Sequence, residues 1–290
     1  MKKENAARLM SVASMAIFGT LALFVRNIRV ASAELALYRA VMAAAVIGIF
    51  LLVTGQKIPL GKMKRELVVL LISGVAMGFN WILLFEAYKY TTVSVATLSY
   101  YFAPVIVTVV CPLLFRERLT RKQIVCYIMS TVGIVLITGV GETRGSGKDF
   151  LGILFGLSAA VLYATVVLLN KFIKNVEGIH RTFLQFLAAI AVLIPYVALT
   201  GGMTLEVLDL TGWMCLLVVG LIHTGFAYCL YFSSLKDLSG QEAAILSYVD
   251  PLVAVVLSVA VLGEPLGLLQ ALGGALILGF TLWNELPDKK

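Results

Sequence analysis

The chain has 290 residues, 60% of them hydrophobic and only 13% charged, with a mean hydropathy of +0.98. That composition excludes a soluble domain, which needs more charge to cover its surface, and implies hydrocarbon as the solvent. The net charge of +7 does not signal a nucleic-acid partner, because the basic residues fall in short loops between apolar runs and build no groove for phosphates.

A membrane span needs about 20 apolar residues. The pattern predicts ten of them, at roughly 8–26, 34–54, 66–88, 93–115, 122–140, 150–171, 181–200, 211–233, 240–262 and 267–284. The start, MKKENAARLM, has the charge of a signal peptide. No small-residue cleavage site follows, however, and the apolar run is full length, so it reads as a retained first span. No loop is long enough to hold a soluble domain. The longest polar connection, 141–149 (GETRGSGKD), divides the chain into residues 1–140 and 150–290, with five spans in each.

With the N-terminus in the cytoplasm, 17 of the 23 Lys and Arg residues fall inside and five outside, while Arg39 lies within span two. That asymmetry sets the orientation, and an even span count places both termini in the cytoplasm.

The two halves repeat. At an offset of 147 residues, Phe85 matches Phe232, Lys89 matches Lys236, and Tyr101 matches Tyr248. Pro104 likewise matches Pro251, Glu117 matches Glu264, and Leu119 matches Leu266. Five spans per half is an odd number, so the second copy enters the membrane from the opposite side and the repeats are inverted. Pro104 and Pro251 fall about a dozen residues into spans four and nine, near mid-bilayer at about 1.5 Å per residue. A proline there removes a backbone hydrogen bond and bends or breaks the helix. Lipid tolerates the freed carbonyl only where it faces protein or a wet cavity. Two such breaks at the midplane point to a transporter's central site. Gly74, Gly78, Gly152, Gly156, Gly273, Gly274 and Gly279 are expected to let helix backbones approach closely.

Ionisable groups at depth cost several kcal/mol each and need a partner or a purpose. Arg39 either snorkels outward or holds an anionic group. Asp250, just before Pro251, has Ala103 as its repeat counterpart, so the charge is no requirement of the proline motif. It either caps the restarting helix or serves a substrate or a proton. His223 in span eight is a helix–helix hydrogen-bond partner or part of a proton path. Asn80, Trp81, Tyr100, Tyr101, Tyr163, Gln185 and Tyr248 suit either the wall of a cavity for a small solute or ordinary packing. Glu117 and Glu264 read as structural pairs at helix ends, Glu242 as interfacial, and Glu86 and Lys89 as solvated or paired. The four cysteines lie in apolar helices without metal-ligand spacing. No nucleotide loop, histidine-metal motif or serine elbow is present, so no cofactor, metal or enzyme activity is expected.

The stretches FNWILLFEAYKYTTVSVATLSYYFAPVIVTVVCPLLFRERLTRKQ (79–123) and SLKDLSGQEAAILSYVDPLVAVVLSVAVLGEPLGLLQALGGALIL (234–278) resemble the drug/metabolite transporter superfamily, in its EamA-type branch. The carriers are the mid-helix proline, the glutamate closing that helix, and the glutamines Gln123 and Gln270. The resemblance implies two EamA repeats, an inverted ten-helix bundle and a central cavity opened alternately to each side. Members mostly export small metabolites, amino acids among them, while others take up vitamins or move sugars and drugs. The small four-helix multidrug relatives use a membrane-embedded glutamate in their first span. Residues 9–25 here carry no charge, so that exchange mechanism does not carry over.

The expectation is an all-α secondary transporter of the bacterial plasma membrane that exports a small organic metabolite, an amino acid or its derivative. Arg39, Asn80, Trp81, Tyr100, Tyr101, Tyr248 and Asp250 would line the site, with Arg39 at its outer entrance. Pro104 and Pro251 would supply the bends, and Asp250 or His223 would carry coupling protons. Spans five and ten would brace the moving bundles. The alternatives are an uptake permease for a vitamin or sugar, and a non-transporting scaffold or sensor. The partners are a small-molecule substrate and the lipid bilayer, without nucleic acid; a homodimer stays open.

Overall fold

The computed structural model describes residues 2–58, 66–115, 120–137, 147–176, 178–238 and 240–286. Among these residues all regular structure is helical. Seven stretches are long and apolar enough to cross a membrane: Lys3–Val25, Ser32–Val53, Leu67–Tyr90, Val93–Val110, Lys148–Asn170, Gly178–Thr200 and Leu210–Ser234. Shorter apolar helices occupy Ile245–Ala260 and Leu268–Asn284. Large apolar side chains cover the outside, with Leu199 87% exposed and Phe150 63%. Lipid solvates such a surface, whereas in water it would aggregate.

In the numbering of the spans predicted from sequence, span one holds α1 (Lys2–Gly19) and α2 (Leu21–Val25), interrupted at Thr20. Spans two and three are α3 (Ser32–Val53) and α4 (Leu67–Tyr90). Span four divides into α5 (Val93–Tyr100) and α6 (Ala103–Phe115), and span five is α7 (Arg121–Ile137). Spans six and seven are α8 (Gly147–Asn170) and α9 (Gly178–Thr200), the latter carrying Pro195 inside it. Span eight is α10 (Leu210–Leu217), a π-helical stretch Val218–Phe226, and α11 (Ala227–Ser234). Span nine is α12 (Gly240–Ser247) and α13 (Val249–Ala260), and span ten is α14 (Leu268–Glu285).

The repeated glutamines are caps. Gln123 accepts from Thr120 N at 2.8 Å at the start of α7, and Gln270 accepts from Gly267 N at 3.0 Å at the start of α14. Each satisfies an N–H that the first helical turn would leave without a partner. The prolines do not sit at the breaks themselves. Pro104 is the second residue of α6 and Pro251 the third of α13, with each break two to three residues upstream. A proline ring clashes with the carbonyl four residues back, and proline itself suits a first helical turn. For these two, four residues back is Tyr100 and Ser247, where α5 and α12 end.

Packing follows the small residues. An added Cβ on Gly133 of α7 would meet the Gly273 carbonyl of α14 at 2.6 Å, so these two helices touch backbone to backbone. Gly74 and Gly78 seat α4 on α9, while Gly220 and Gly225 seat span eight on α3. Gly152 and Gly156 admit Thr91 and Ser99 against α8, and Gly274 admits Leu98. Gly279 has no neighbour within 4 Å and serves no such contact, contrary to the expectation from sequence. Other extensive contacts join α3 to α9, α4 to α8, α1 to α11, and α5 to α13.

Glu264 ties one end of the bundle together. Its carboxylate pairs with Arg26 after α2, and accepts from Val93 N (2.8 Å) at the start of α5 and from Ser258 Oγ of α13. Arg26 also donates to the carbonyl of Thr91 at 3.1 Å, beyond α4. Glu117 lies outside the described residues.

Candidate functional site

The breaks of spans one, four and nine converge on a cavity of about 250 Å³. Spans one, two, three, four, six, eight and nine all contribute to its wall. Arg39, Trp81, Tyr100, Tyr101, Tyr163 and Asp250, singled out from sequence, all line it, as does Pro104. A second cavity of about 220 Å³ shares Tyr101, Ala103, Pro104, Tyr163 and Ser247 with the first, and adds Val107, Thr108, Val167 and Tyr248. These added residues lie farther from the Glu264 end. Val107 follows Val93 down span four, and Val167 is about 22 Å along α8 from Gly152, which abuts Thr91.

Arg39 does not snorkel. It is 4% exposed and stands in the cavity wall. Its Nε donates to Thr224 Oγ1 at 2.6 Å, and its guanidinium lies 4.5 Å from the Trp81 ring centre and 5.6 Å from that of Phe85. A desolvated cation–π contact of this kind is worth about 2 kcal/mol. The other N–H groups of the guanidinium meet no acceptor among the described residues. A buried cation with free donors facing a cavity is a receptor for a planar anion such as a carboxylate.

Asp250 does not cap α13, whose N-cap residue is Tyr248 with no side-chain hydrogen bond. Its carboxylate instead accepts from Tyr101 Oη at 2.7 Å across the two broken helices. No ion pair joins Asp250 to Arg39. The cavity wall therefore holds a guanidinium and a carboxyl group that are not paired with each other. Aromatic rings fill the space around them, with Tyr100 and Tyr163 centroids 5.5 Å apart.

Five expected residues lie outside this cavity. Asn80 is buried and donates to the Ala159 carbonyl at 2.6 Å, joining α4 to α8. Gln185 is spent on Ser73 (2.6 Å) and Asn170 (2.8 Å). Tyr248 borders only the second cavity, and Pro251 is buried beside it in sequence without lining either. His223 also stands outside. Its Nε2 meets Thr20 Oγ1 at 2.8 Å and its Nδ1 meets the Val218 carbonyl at 3.2 Å. Tyr88, Tyr228 and Tyr231 line the cavity without having been expected. Tyr228 and Tyr231 are three residues apart, a shared-face spacing in the sequence, but only the packing shows which face of span eight turns inward.

Glu242, Glu86 and Lys89, singled out from sequence, pair near helix ends. Glu242 accepts from Arg8 Nη2 at 2.6 Å, and Glu86 accepts from Lys89 at 3.1 Å. Cys126, Cys215 and Cys229 are buried free thiols, and no metal-holding cluster exists among the described residues.

Comparison with known proteins gives this geometry a context. The model of the EamA-like transporter family matches residues 5–139 and again 150–284. An "Uncharacterized transporter YxxF" of Bacillus subtilis (strain 168) is 32% identical over 277 residues, covering 95% of this chain and 88% of that protein. An "Uncharacterized transporter" of Archaeoglobus fulgidus is 27% identical over 278 residues, covering 94% and 95% respectively. One crystal structure matches with a TM-score of 0.64 at 20% identity over 96% of each chain, a likeness of fold alone. With both family matches together spanning nearly its whole length, the chain is a multi-pass membrane protein that belongs to the EamA-like transporter family.

Proposed function

We propose that this protein is a secondary active transporter of the bacterial plasma membrane that exports a small zwitterionic metabolite, an amino acid or close derivative, by alternating access. The observation that carries the reading is the pair of Arg39 and Asp250, two opposite charges on one cavity wall that do not pair with each other. A free amino acid satisfies both, its carboxylate on Arg39 and its ammonium on Asp250, with the tyrosines around its side chain. At about 250 Å³ the cavity suits a small metabolite and falls below the range of drug-sized pockets. Export is the direction the family resemblance implies.

The packing supports ten spans in two inverted five-span repeats, 1–140 and 150–290, joined by 141–149. Exchanging spans one to five with six to ten turns the α4–α9 contact into that of span eight with α3, and α4–α8 into α1–α11. The contacts α3–α9, α5–α13 and α7–α14 map onto themselves. With both termini cytoplasmic, the Glu264 cluster lies at the outer face, and the second cavity leads inward. Asp250 suits a coupling proton better than His223, because His223 has both ring nitrogens engaged and stands away from the cavity. Arg39 is assigned to the substrate itself and not to the outer entrance.

Flux of labelled amino acids in proteoliposomes tests the reading. We expect Arg39→Gln and Asp250→Asn to abolish substrate-dependent flux, and Pro251→Ala to slow it. Asp250→Asn or Pro251→Ala protein that folds and transports like the parent would sink the site assignment.

A further inference from the structure

Span eight contains one residue more than its repeat counterpart, and that residue falls in the π-helical stretch. In span three, Gly74 abuts Ala188 of α9 and Gly78 follows four residues later. In span eight, Gly220 abuts Met42 of α3 and the next packing glycine, Gly225, follows five residues later. The repeat offset is accordingly 146 residues at Gly220 and 147 from Gly225 onward to Phe232. A recurrence of five where the counterpart has four is what one inserted π turn with its i→i+5 hydrogen bonds produces, and such insertions concentrate at functional sites.

The extra residue changes what reaches α3. At the 146-residue offset Arg39 corresponds to Gln185, each the eighth residue of its helix. Gln185 Nε2 donates to Ser73 of span three at 2.6 Å. Ser73 corresponds to Val219, which has no hydroxyl. Thr224 supplies it instead from one π turn further on. Its Oγ1 donates to the Val219 carbonyl at 2.9 Å and accepts Arg39 Nε at 2.6 Å. Thr224 is fully buried, so this hydroxyl is shielded from bulk solvent. The neighbouring His223 reaches back five residues to the Val218 carbonyl and across to Thr20, where span one breaks.

We propose that the π-helical turn is a positioning device for Arg39, with Thr224 as the positioning residue and His223 as its anchor on span one. Without the Thr224 acceptor, a buried Nε–H is left unsatisfied and the guanidinium swings off Trp81 to find one. With it, Nε is fixed, the plane stays on the ring, and the remaining donors point into the cavity before any ligand arrives. This inference rests on the reading of Arg39 as a carboxylate receptor.

Two measurements on the full chain separate the inference from that reading. Trp213 and Trp283 are both exposed, so a Trp213→Phe/Trp283→Phe protein reports Trp81 emission alone. In that background Thr224→Val should shift the Trp81 emission, and Thr224→Ser, which keeps the hydroxyl, should restore it. Unfolding temperatures of both variants verify that they are folded. The second measurement is a thermal-shift comparison of amino acids with their amides, which lack the carboxylate. Thr224→Val should lower the preference for acid over amide about tenfold, one charged hydrogen bond's worth, and Thr224→Ser should not. Folded Thr224→Val protein with the parent's Trp81 emission overturns the positioning role. Shifted emission, with acid and amide bound alike by the parent, upholds positioning and overturns the carboxylate reading.

Discussion

At the scale of residues, the charges of the cavity belong to single positions and not to the repeat. Asp250 corresponds to Ala103 of the first repeat, and Arg39 to Gln185 of the second, whose amide is consumed in a neutral network. A duplicated scaffold thus gains polarity by changing one residue in each copy. The kind of cation then matters as much as its charge. Lysine at position 39 would keep the charge but lose the Nε donor to Thr224 and the fork that grips a carboxylate. We therefore expect Arg39→Lys to weaken substrate binding about tenfold to a hundredfold, near one or two lost charged hydrogen bonds, read as a raised half-saturation concentration for flux. The Asp250–Ala103 difference was legible because both prolines fix the alignment. The Arg39–Gln185 equivalence was not, because the offset there is 146, and only the packing of Gly74 and Gly220 shows the one-residue slip. The depth of Arg39 was likewise hidden, since counting residues from a loop cannot tell a rim from a wall.

At the scale of elements, the broken helices are held by close backbone contacts that leave little room for change. Gly19 ends α1 beside the span-nine break, where an added Cβ would stand 2.6 Å from the Asp250 carbonyl and 2.7 Å from Val253 Cβ. Backbone cannot yield as a flexible side chain can, so Gly19→Ala should cost about 1–3 kcal/mol and lower the unfolding temperature. Because the displaced strut carries Asp250, flux should fall more than stability does. A second joint lies at the opposite end from Glu264. Glu66, just before α4, accepts from Lys174 N at 3.1 Å and from Asn175 N and Nδ2 at 3.0 and 2.8 Å. Burial pushes its carboxyl up, but the backbone N–H groups of Asn175 and Lys174 outweigh this and hold it below the ordinary value of 4.5. A depressed folded-state pKa stabilises the fold above the ordinary value, and the stabilisation is lost as pH falls through the lower one. Thermal unfolding followed below pH 4.5 should therefore show a steeper loss in the parent than in Glu66→Gln. Helix existence and order were legible from apolar run lengths, and the proline breaks from sequence alone. The break at Thr20 and the π turn were not, because neither carries a proline; the first lies beside the close approach of Gly19 to α13, and the second marks a single extra residue that only the packing of Gly220 and Gly225 reveals.

At the scale of the whole molecule, the proposed alternating access would use the seal at one end and the continuing cavity at the other as the two ends of one cycle. In an inverted-repeat bundle, the opposite state follows by exchanging the conformations of the halves. In the proposed inverted arrangement the α5–α13 contact lies on the symmetry element, so it should close at the Glu264 end in one state and at the far end in the other. Here it is closed at the Glu264 end, where Ser94 N donates to Ser258 Oγ at 3.3 Å beside Glu264 and Arg26. That hydrogen bond makes the two residues neighbours across α5 and α13, the placement a cross-link between the helices needs. A Ser94→Cys/Ser258→Cys protein should therefore cross-link under oxidation and stop transport, because the Glu264 end can no longer open. Reduction should restore flux, and each single variant should transport in both conditions. Cross-linked protein that still turns over would mean the Glu264 end does not part during the cycle. The moving halves would then have to separate along α3–α9, and the Glu264 cluster would be a permanent strut.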